Sequence, residues 1–427
     1  MDRLSEDLAF RGLVHQCSDD AVLGALDREP LTAYIGFDPT ADSLHHGNLL
    51  QLCNLRRLQL AGHRPIALAG GATGFIGDPG GKSEERSLLS IEQVAANVEG
   101  IRPQLERFLD FSPSSGPCQA ILANNADWLI EMPLISFLRD VGKHVTVNQM
   151  VAKDSVRSRL ERPEHGISYT EFSYMLLQAT DFLHLFDTYG CRLQLGGSDQ
   201  WGNIVTGVDL IRKVRGAAAW ALTSPLVLRA DGTKFGKSEG GAIWLDPRRT
   251  SPFAFYQFFW RSEDAMVGAY LRYFTWLSHE EILALDEATA AHPERREAHE
   301  ALARELTTLV HGEDECRRVE RAAAVLYTEE VASLDAATLT MALDGAPASV
   351  LAQSELDGGL EVVDALVRSG LVASKSQART AIEQGGAYVN NRRVAAIDVR
   401  IGAADLLDGG YVLLRRGRRE LHLLSFR

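Results

Sequence analysis

The stretch Tyr34-Ile-Gly-Phe-Asp-Pro-Thr-Ala-Asp-Ser-Leu-His-His-Gly-Asn48 decides the fold that we expect for this chain. It reads as a buried strand, a turn at Pro39 and Thr40, and a helix that begins near His45. This order of elements suits nucleotide phosphate, because free backbone N–H groups and the helix dipole face the anion. The stretch lacks the GxGxxG of dinucleotide-binding proteins. It therefore predicts a phosphate-binding turn of another kind, with a plain helix cap as the alternative.

Length and composition are typical of a globular protein. The chain has 427 residues, of which 45% are hydrophobic and 24% charged, and that length suits roughly two to four domains. The N-terminus lacks a signal-peptide pattern and no apolar run reaches ~18 residues, so we expect a cytoplasmic protein without membrane contact. The five cysteines have no CxxC spacing, which argues against a zinc site and against a disulfide framework.

The charge is distributed unevenly along the chain. The net charge is −13, yet residues 366–427 carry eleven Lys and Arg against five Asp and Glu. An acidic body with a basic tail predicts that the tail meets a polyanion, with a solvated arginine-rich surface as the alternative. Only seven residues are lysine, and Lys234 and Lys237 fall in one glycine-containing loop. Lysine is a compact point charge that suits phosphate.

Apolar runs that read as strands alternate with helical patterns, which predicts an α/β domain built on a Rossmann-like, doubly wound parallel sheet. Residues 66–69 enter a glycine-rich loop that contains Asp78, and residues 119–123 end in Asn124-Asn125-Ala-Asp127-Trp128. Residues 191–195 run into Gly196-Gly-Ser-Asp-Gln-Trp-Gly-Asn203. Ligands lie at the C-terminal strand ends of such sheets, so these polar loops indicate one shared crevice.

Residues 167–187 predict a helix with a polar stripe. Tyr174, Gln178 and Asp181 recur at i, i+4 and i+7, which places them on one face. Polar groups on an apolar helix need partners when they are buried. The stripe therefore indicates either a ligand or a structural hydrogen-bond network.

Residues 224–245 read as a β-hairpin or an extended loop with a turn at Asp231-Gly232. Neither the glycine spacing there nor that of Gly77-Asp-Pro-Gly-Gly-Lys82 matches a P-loop, which disfavours a kinase or another P-loop nucleotide-binding protein. We expect residues 1–245 to form the α/β domain, 246–330 a small helical domain, 331–360 a linker and 361–427 a basic α+β domain.

Taken together, these motifs resemble those of the class I aminoacyl-tRNA synthetases, and among them the bacterial-type tyrosyl-tRNA synthetases. The segment Pro39-Thr-Ala-Asp-Ser-Leu-His-His-Gly-Asn48 is similar to the His-x-Gly-His signature, and Lys234-Phe-Gly-Lys-Ser238 to the Lys-Met-Ser-Lys-Ser signature. The Gly196–Asn203 segment lies between them. The basic tail resembles the S4-type RNA-binding module of these enzymes, so the resemblance covers essentially the whole chain.

The resemblance implies an activity and partners. Such an enzyme activates L-tyrosine with ATP and Mg²⁺ to tyrosyl-adenylate and pyrophosphate, then transfers tyrosine to the 3′ end of tRNA(Tyr), without a tightly bound cofactor. Residues 1–245 would be catalytic, 246–330 the anticodon-region domain and 361–427 the S4-like domain. Family members are homodimers that pair through the region that corresponds to residues 129–160. Ile130, Leu134, Ile135 and Phe137 suit that interface, and burial in the core is the alternative.

The resemblance also implies roles for individual residues, and it implies no metal ligands. The catalytic group at the ATP phosphates would be Thr40, His45, Asn48, Lys234 and Lys237. The tyrosine site would be Tyr34, Asp78, Tyr174, Gln178, Asp181 and Gln200, with Tyr34 and Asp181 at the phenol and Asp78, Tyr174 and Gln178 at the ammonium group. The ATP site would include Gly36, Asp38, Gly47, Gly197, Asp199, Lys237 and Ser238. RNA would contact Lys375, Arg379, Arg392 and Arg393.

The chain departs from the first signature at one position, because Asn48 stands where the second histidine is expected. Asparagine still offers an N–H donor but no charge. The additional histidine, His46, is expected to serve packing or the surface. Two rival functions are a tryptophanyl-tRNA synthetase and a non-catalytic RNA-binding relative. Tyr34, Asp181 and the basic tail argue against the first rival, and His45 with the lysine loop argues against the second.

Overall fold

The structure is a computed structural model that describes residues 3–78, 89–153, 156–157, 160, 166–233, 235, 242–417 and 420–427. Lys234, Lys237 and Ser238 of the predicted lysine loop lie outside the described residues. The chain divides into two compact units, Met1–Asp246 with Arg261–Leu302, and Pro247–Trp260 with Ala303–Arg427. Among the described residues, no helix is long and apolar enough to cross a membrane.

The first unit is built on a six-stranded sheet with the order β1-β6-β5-β2-β3-β4. Its strands are β1 (Gln16–Cys17), β2 (Thr32–Phe37), β3 (Arg64–Ala69), β4 (Ile121–Asn124), β5 (Cys191–Gly197) and β6 (Trp220–Ser224). Strands β2 to β6 pair in parallel, and the short edge strand β1 is antiparallel to β6. The predicted doubly wound parallel sheet is therefore confirmed.

Strand order creates a topological switch between β2 and β5. From β2 the chain moves to β3 and β4 on one side, whereas β5 and β6 extend the sheet on the other side. Connections that leave neighbouring strands in opposite directions open a crevice at the C-terminal strand ends. The loops that follow β2 and β5 both begin at these C-terminal strand ends.

The helices of the first unit surround the sheet. They are α1 (Leu4–Phe10), α2 (Ala21–Arg28), α3 (His46–Leu60), α4 (Thr73–Ile76), α5 (Ile91–Phe108), α6 (Ala126–Leu129), α7 (Leu134–Asp140), α8 (Val147–Val151), α9 (Tyr169–Tyr189) and α10 (Trp201–Arg215), with α12 (Asp264–Phe274) and α13 (His279–Ala291) further along the chain. The core contains Tyr34 and Ile66 from the sheet with Phe182 and Leu185 from α9. Helix α9 is therefore held by burial against the strands that carry the crevice.

The second unit contains α11 (Pro252–Trp260), α15 (Glu313–Val325), α16 (Ala336–Ala342), α17 (Val362–Arg368) and α18 (Lys375–Glu383), and α14 (Glu297–His311) crosses the division between the units. Its strands are β7 (Ala348–Leu351), β8 (Leu360–Glu361), β9 (Ala387–Val389), β10 (Arg392–Arg393), β11 (Arg400–Ile401), β12 (Tyr411–Arg416) and β13 (Glu420–Phe426). They form a five-stranded sheet, β10-β9-β12-β13-β7, and a two-stranded sheet, β11-β8.

The segment predicted as a linker, 331–360, holds regular structure. It contains α16 and β7, and β7 pairs in parallel with β13. The sheet of the C-terminal region therefore includes a strand that lies before the predicted boundary at residue 361. The weak periodicity of this segment arises because its helices and strands are short.

A β-hairpin lies near residue 390. Strands β9 and β10 pair in antiparallel fashion, with Val389 opposite Arg392. Asn390 and Asn391 form the two-residue turn with φ of 47° and 61°, a left-handed conformation that asparagine tolerates better than most residues. Asn391 Nδ2 also donates to the carbonyl oxygens of Leu326 and Thr328, each at 2.8 Å. The hairpin turn is thereby bonded to the chain that follows α15.

Candidate active site

A cavity of about 710 Å³ opens at the C-terminal ends of β2 and β5. Every predicted residue of the tyrosine and ATP sites that the structure describes contributes to its lining. These residues are Tyr34, Gly36, Asp38, Thr40, His45, Gly47, Asn48, Asp78, Tyr174, Gln178, Asp181, Gly197, Asp199 and Gln200. The polar loops that the sequence placed after separate strands therefore meet in one crevice.

His45 and Asn48 form a capping box at the N-terminus of α3. His45 Nδ1 accepts from the Gly47 N–H at 2.9 Å, and the His45 N–H donates to Asn48 Oδ1 at 3.1 Å. A Cβ at Gly47 would lie 2.7 Å from the His45 ring, so the close approach requires glycine. Since Nδ1 accepts, the neutral His45 ring carries its proton on Nε2. The remaining polar atoms, His45 Nε2 and the amide nitrogen of Asn48, are hydrogen-bond donors. An anion requires donors of this kind.

Asp38 sits at the end of β2 and is held by two neighbours. Its Oδ1 accepts from Thr73 Oγ1 and its Oδ2 accepts from the Tyr174 hydroxyl, both at 3.0 Å. Burial, followed by the charges of Asp38 and Asp78, raises the pKa of Tyr174 well above its usual value. Tyr174 therefore stays a neutral donor to Asp38, and its oxygen can accept from a cation.

A second group of polar side chains links α9 with the loop after β5. Gln200 Nε2 donates to Asp78 Oδ2 at 2.5 Å, and Asn203 Nδ2 donates to Gln178 Oε1 at 3.1 Å. Asp78, Tyr174 and Gln178 thus present oxygen atoms that can accept hydrogen bonds in one part of the cavity lining. This arrangement suits a primary ammonium group, which offers three donors.

Tyr34 and Asp181 are deeply buried, with exposed fractions of 1% and 2%. Asp181 Oδ1 accepts from Trp128 Nε1 at 2.9 Å and Oδ2 from Asn125 Nδ2 at 3.0 Å. The Tyr34 hydroxyl is buried and has no hydrogen-bond partner within the described part of the chain. An unpaired buried hydroxyl is costly, so a polar ligand group is the expected partner.

Burial dominates the protonation of this pair. It raises the pKa of Asp181 to about 7, although the hydrogen bonds from Asn125 and Trp128 act in the opposite direction. Burial and then the Asp181 charge raise the pKa of Tyr34 well above its usual value. The site therefore holds a neutral phenol beside a carboxyl group that changes charge near neutral pH.

Sequence reasoning missed several members of the site. Asn125 joins three elements, because it also donates to Thr73 Oγ1 at 3.0 Å and accepts from the Ala72 N–H at 2.7 Å. Its place directly after β4 is the same signal that identified Asp38 and Gln200. Trp128 and Thr73 carried no distinguishing pattern, because their roles depend on contacts with residues far away in sequence.

His46 is more than the packing or surface residue that the sequence suggested. It is buried, and its ring Nε2 lies 3.0 Å from the Phe235 carbonyl oxygen. Its Nδ1 lies 3.3 Å from both the backbone nitrogen and the carbonyl oxygen of Ile243. His46 also contributes to the lining of the cavity. Its contacts with Phe235 and Ile243 join residues that are distant in sequence, so local spacing could not predict them.

The predicted RNA-contacting residues Lys375, Arg379, Arg392 and Arg393 are exposed in the second unit. Lys375 forms an ion pair with Asp364 at 2.5 Å, and Arg392 lies 3.6 Å from Glu329. Both pairs are at the surface, where such contacts are weak and easily exchanged.

Comparison with known proteins agrees with this geometry. The family model for tRNA synthetases class I (W and Y) matches residues 26–328, and the model for the tyrosine–tRNA ligase SYY-like C-terminal domain matches residues 339–424. A tyrosine–tRNA ligase of Roseiflexus castenholzii is 56% identical over 425 residues, which cover 99% of each chain. That of Bacillus caldotenax is 50% identical over the full length of both chains.

A solved structure shows the same fold. The C-terminally truncated mitochondrial tyrosyl-tRNA synthetase of Aspergillus nidulans matches with a TM-score of 0.67 at 33% identity, covering 77% of this chain and 95% of that chain. The sequence-based prediction of family and fold is confirmed. The C-terminal family match begins at residue 339, inside the segment predicted as a linker.

Replacing Asp181 by Asn tests the electrostatics of the buried end. The folded-state pKa of about 7 lies above the ordinary value of 3.8, so folding takes up a proton and wild-type stability falls as pH rises between these values. Relative to wild type, the free energy of unfolding of Asp181→Asn should therefore rise by on the order of 2 kcal/mol between about pH 5 and pH 8. Urea unfolding at several pH values measures this difference.

Asp110→Asn is the control for that measurement. Hydrogen bonds from Ser112, then Ser115, lower the pKa of this exposed carboxyl group, so it is ionised in both folded and unfolded chains above about pH 5. Its stability difference from wild type should be independent of pH over the same range. If the difference in the free energy of unfolding from wild type depended on pH to the same extent in both variants, this would contradict the raised pKa of Asp181.

Proposed function

We propose, from the premise that this chain belongs to the tyrosine–tRNA ligases of class I, that the cavity between β2 and β5 holds tyrosine and ATP side by side. The chain is a ligase that uses ATP to join tyrosine to tRNA(Tyr). The observation that carries the assignment of the site is the buried Tyr34 hydroxyl near Asp181, in the lining of a cavity that also contains the His45–Asn48 turn.

The phenol of tyrosine is proposed to bind between Tyr34 and Asp181. Its hydroxyl would accept from Tyr34 and donate to the Asp181 carboxylate, which Asn125 and Trp128 hold in place. Phenylalanine would leave both buried groups without that partner, and unpaired buried polar groups are costly. The pair therefore supplies specificity for tyrosine.

The amino end of tyrosine is proposed to face the acceptors Asp78, Tyr174 and Gln178. Their fixed hydrogen bonds to Gln200, Asp38 and Asn203 restrain the three side chains before the substrate arrives. With both ends of the amino acid fixed, its carboxylate would point toward the ATP part of the cavity. Positioning of this kind lowers the barrier because little orientation remains to be lost.

ATP is proposed to place its β and γ phosphates at Thr40, His45 and Asn48, with Lys234 and Lys237 as further donors. Gly36, Gly47, Gly197 and the main chain of Asp38 would lie along the nucleotide, Asp199 at the ribose hydroxyls, and Ser238 beside the lysines. A Cβ at Gly36 would meet nothing within 4 Å, which supports open space for a ligand there.

In the proposed activation step, a carboxylate oxygen of tyrosine attacks the α-phosphorus of ATP. The bond from that phosphorus to the bridging oxygen breaks, and its electrons leave with pyrophosphate. Donors at His45, Asn48 and the lysines stabilise the charge that develops on the leaving group. The ribose hydroxyl at the 3′ end of tRNA(Tyr) then attacks the tyrosyl carbonyl and displaces AMP.

Mg²⁺ is proposed to enter as part of the ATP substrate. Among the described residues, no three His, Cys, Asp or Glu side chains form a group that could hold a metal ion. We also propose a cytoplasmic location, as the sequence predicted, where ATP and tRNA are available.

The domain roles are proposals as well. We propose that residues 1–245 carry out activation and that the helical residues 246–330 face the anticodon region. The basic surface of Lys375, Arg379, Arg392 and Arg393 in residues 361–427 would bind the tRNA backbone. The hydrogen bonds of Asn391 to Leu326 and Thr328 support a fixed placement of that surface within the second unit.

The homodimer remains a proposal that an apolar surface supports. Ile130, Leu134 and Ile135 are 54%, 67% and 71% exposed, and Val147 is 61% exposed. Phe137, in contrast, packs against a core that includes Met150. Several large exposed apolar side chains within a short stretch of sequence indicate a surface that a partner can cover. A second copy of the chain is the partner that we propose.

The first test of the function is ATP–pyrophosphate exchange with each of the twenty amino acids. Exchange with tyrosine alone is expected, because only tyrosine satisfies both Tyr34 and Asp181, and Lys237→Ala should reduce its rate. Exchange with tryptophan would contradict the phenol assignment. A folded chain that binds tRNA without exchanging any amino acid would be a non-catalytic relative.

Simultaneous replacement of Lys375, Arg379, Arg392 and Arg393 by Ala tests the RNA surface. We expect the KM for tRNA to rise about tenfold or more and the salt dependence of binding to weaken, because phosphate contacts are lost. Pyrophosphate exchange should be unchanged. Arg102→Ala with Arg212→Ala is the control, because both arginines are exposed on the first unit. Unaltered tRNA charging in the fourfold variant would contradict the assignment.

Leu134→Asp with Ile135→Asp tests the dimer. Wild type should have the mass of two chains by light scattering at micromolar concentration, and the variant the mass of one, because charges in an apolar interface oppose association. Leu283→Asp is the matched control, since Leu283 is 48% exposed on α13, away from this surface in sequence. A monomeric wild-type mass would contradict the proposal.

A further inference from the structure

The additional histidine of the α3 N-terminus, His46, has no part in the proposed phosphate contacts, yet it is only 7% exposed. Its ring touches two backbone sites that are distant from it in sequence. Nε2 lies 3.0 Å from the Phe235 carbonyl oxygen, and Nδ1 lies 3.3 Å from the backbone nitrogen of Ile243. A residue that served packing alone would not require either nitrogen.

The two contacts define the protonation of the ring. A carbonyl oxygen only accepts, so Nε2 of His46 carries a proton and donates to Phe235. In the neutral ring Nδ1 is then the acceptor for the Ile243 N–H. Burial lowers the pKa of His46, which favours this neutral form. The ring therefore acts as a bridge with one donor and one acceptor, each matched to a backbone group.

The backbone strengthens the same connection. The His46 N–H donates to the Ile243 carbonyl oxygen at 2.8 Å, and the Leu245 N–H donates to the Leu44 carbonyl oxygen at 2.9 Å. Trp244 pairs with His45 in an antiparallel bridge, and their rings meet edge to face at 5.9 Å between centroids. Residues 44–46 thus hold residues 243–245 beside the turn that contains His45.

Phe235 is held from two further directions. Its N–H donates to the Val227 carbonyl oxygen at 3.0 Å, and its ring lies 4.5 Å from that of Tyr270. The His46 ring is in turn 5.8 Å from the Phe235 ring, nearly perpendicular to it. The His46 ring therefore fixes the distance between the backbone of Phe235 and the backbone of Ile243. Lys234 precedes Phe235 directly, and Lys237 follows it by two residues.

We propose that His46 is a positioning residue for ATP activation. By fixing Phe235 and Ile243, which flank Lys237 in the sequence, against the N-terminus of α3, it would restrain this segment beside His45 and Asn48. This inference rests on the proposed function of Lys237. An apolar side chain at position 46 would fill the space but leave the Phe235 carbonyl and the Ile243 N–H without these partners.

The experiment compares His46→Phe, His46→Gln and His46→Asn in the full chain. The Gln amide can reach the position of Nε2 and keep the bond to Phe235, whereas the shorter Asn amide reaches only the position of Nδ1. We expect kcat of tyrosine-dependent pyrophosphate exchange to fall about 10- to 100-fold in the Phe and Asn variants, because misplaced donors lose transition-state contacts. The Gln variant should retain most of the activity.

Tyrosine affinity, measured by equilibrium dialysis, and the thermal midpoint separate positioning from folding. Tyrosine affinity should change less than about twofold in all three variants, because Tyr34 and Asp181 are untouched. If the Phe variant does not fold, the polar Gln and Asn pair carries the test alone. Unchanged kcat in the Asn variant, or equal losses of kcat and tyrosine affinity, would overturn the inference.

Lys237→Ala is measured in parallel to separate this inference from the proposed function. Full activity of Lys237→Ala would refute the proposed role of the lysine loop itself. A large loss in Lys237→Ala together with normal activity in both His46→Phe and His46→Asn would overturn only the role of His46.

Discussion

The pairing of β2 with β5 is the constraint on which the site depends. These parallel neighbours continue into connections that run to opposite sides of the sheet, so no helix can cover both C-terminal ends. The turn that leads to His45 follows β2, and the loop of Asp199 and Gln200 follows β5. Because the pairing of β2 with β5 fixes where the two loops begin, the central sheet positions the loop residues that line the cavity.

Buried polar groups in this site are connected rather than isolated. Asn125 bonds Asp181, Thr73 and the backbone of Ala72, while Thr73 also bonds Asp38, which holds Tyr174. Connected hydrogen bonds therefore run from Asp181 through Asn125 and Thr73 to Asp38 and Tyr174. Such networks favour one arrangement of their members, because moving one side chain leaves another unpaired. Among the described residues, the Tyr34 hydroxyl has no hydrogen-bond partner, and neither do Gln51 Oε1 and Gln194 Oε1 in the same lining. Unpaired buried polar groups at these positions suit a binding site.

Sequence predicted most of this arrangement because the informative residues follow strands or repeat at helical spacing. Tyr174, Gln178 and Asp181 were identified from local spacing alone, and all three line the cavity. The roles of Trp128 and Thr73 could not be predicted from the sequence, because each residue acts through a hydrogen-bond partner that is distant in sequence. The helix and strand within residues 331–360 were not predicted for a related reason. A four-residue strand such as β7 shows too little periodicity to be recognised, and its pairing with β13 depends on residues that lie at the end of the chain.

Asn48 shows how a departure from a signature is accommodated locally. The capping box requires an acceptor at this position for the His45 N–H, and the Asn48 side-chain oxygen supplies it. The same side chain retains an amide donor, so one uncharged residue caps the helix and can also donate to a phosphate oxygen in the proposed site. The cationic contribution that a histidine could add is absent. In this chain the neighbouring position carries a histidine instead, and its two ring nitrogens contact the backbone at Phe235 and Ile243. The N-terminus of α3 therefore provides neutral donors, and we propose that the lysines supply the positive charge of the phosphate site.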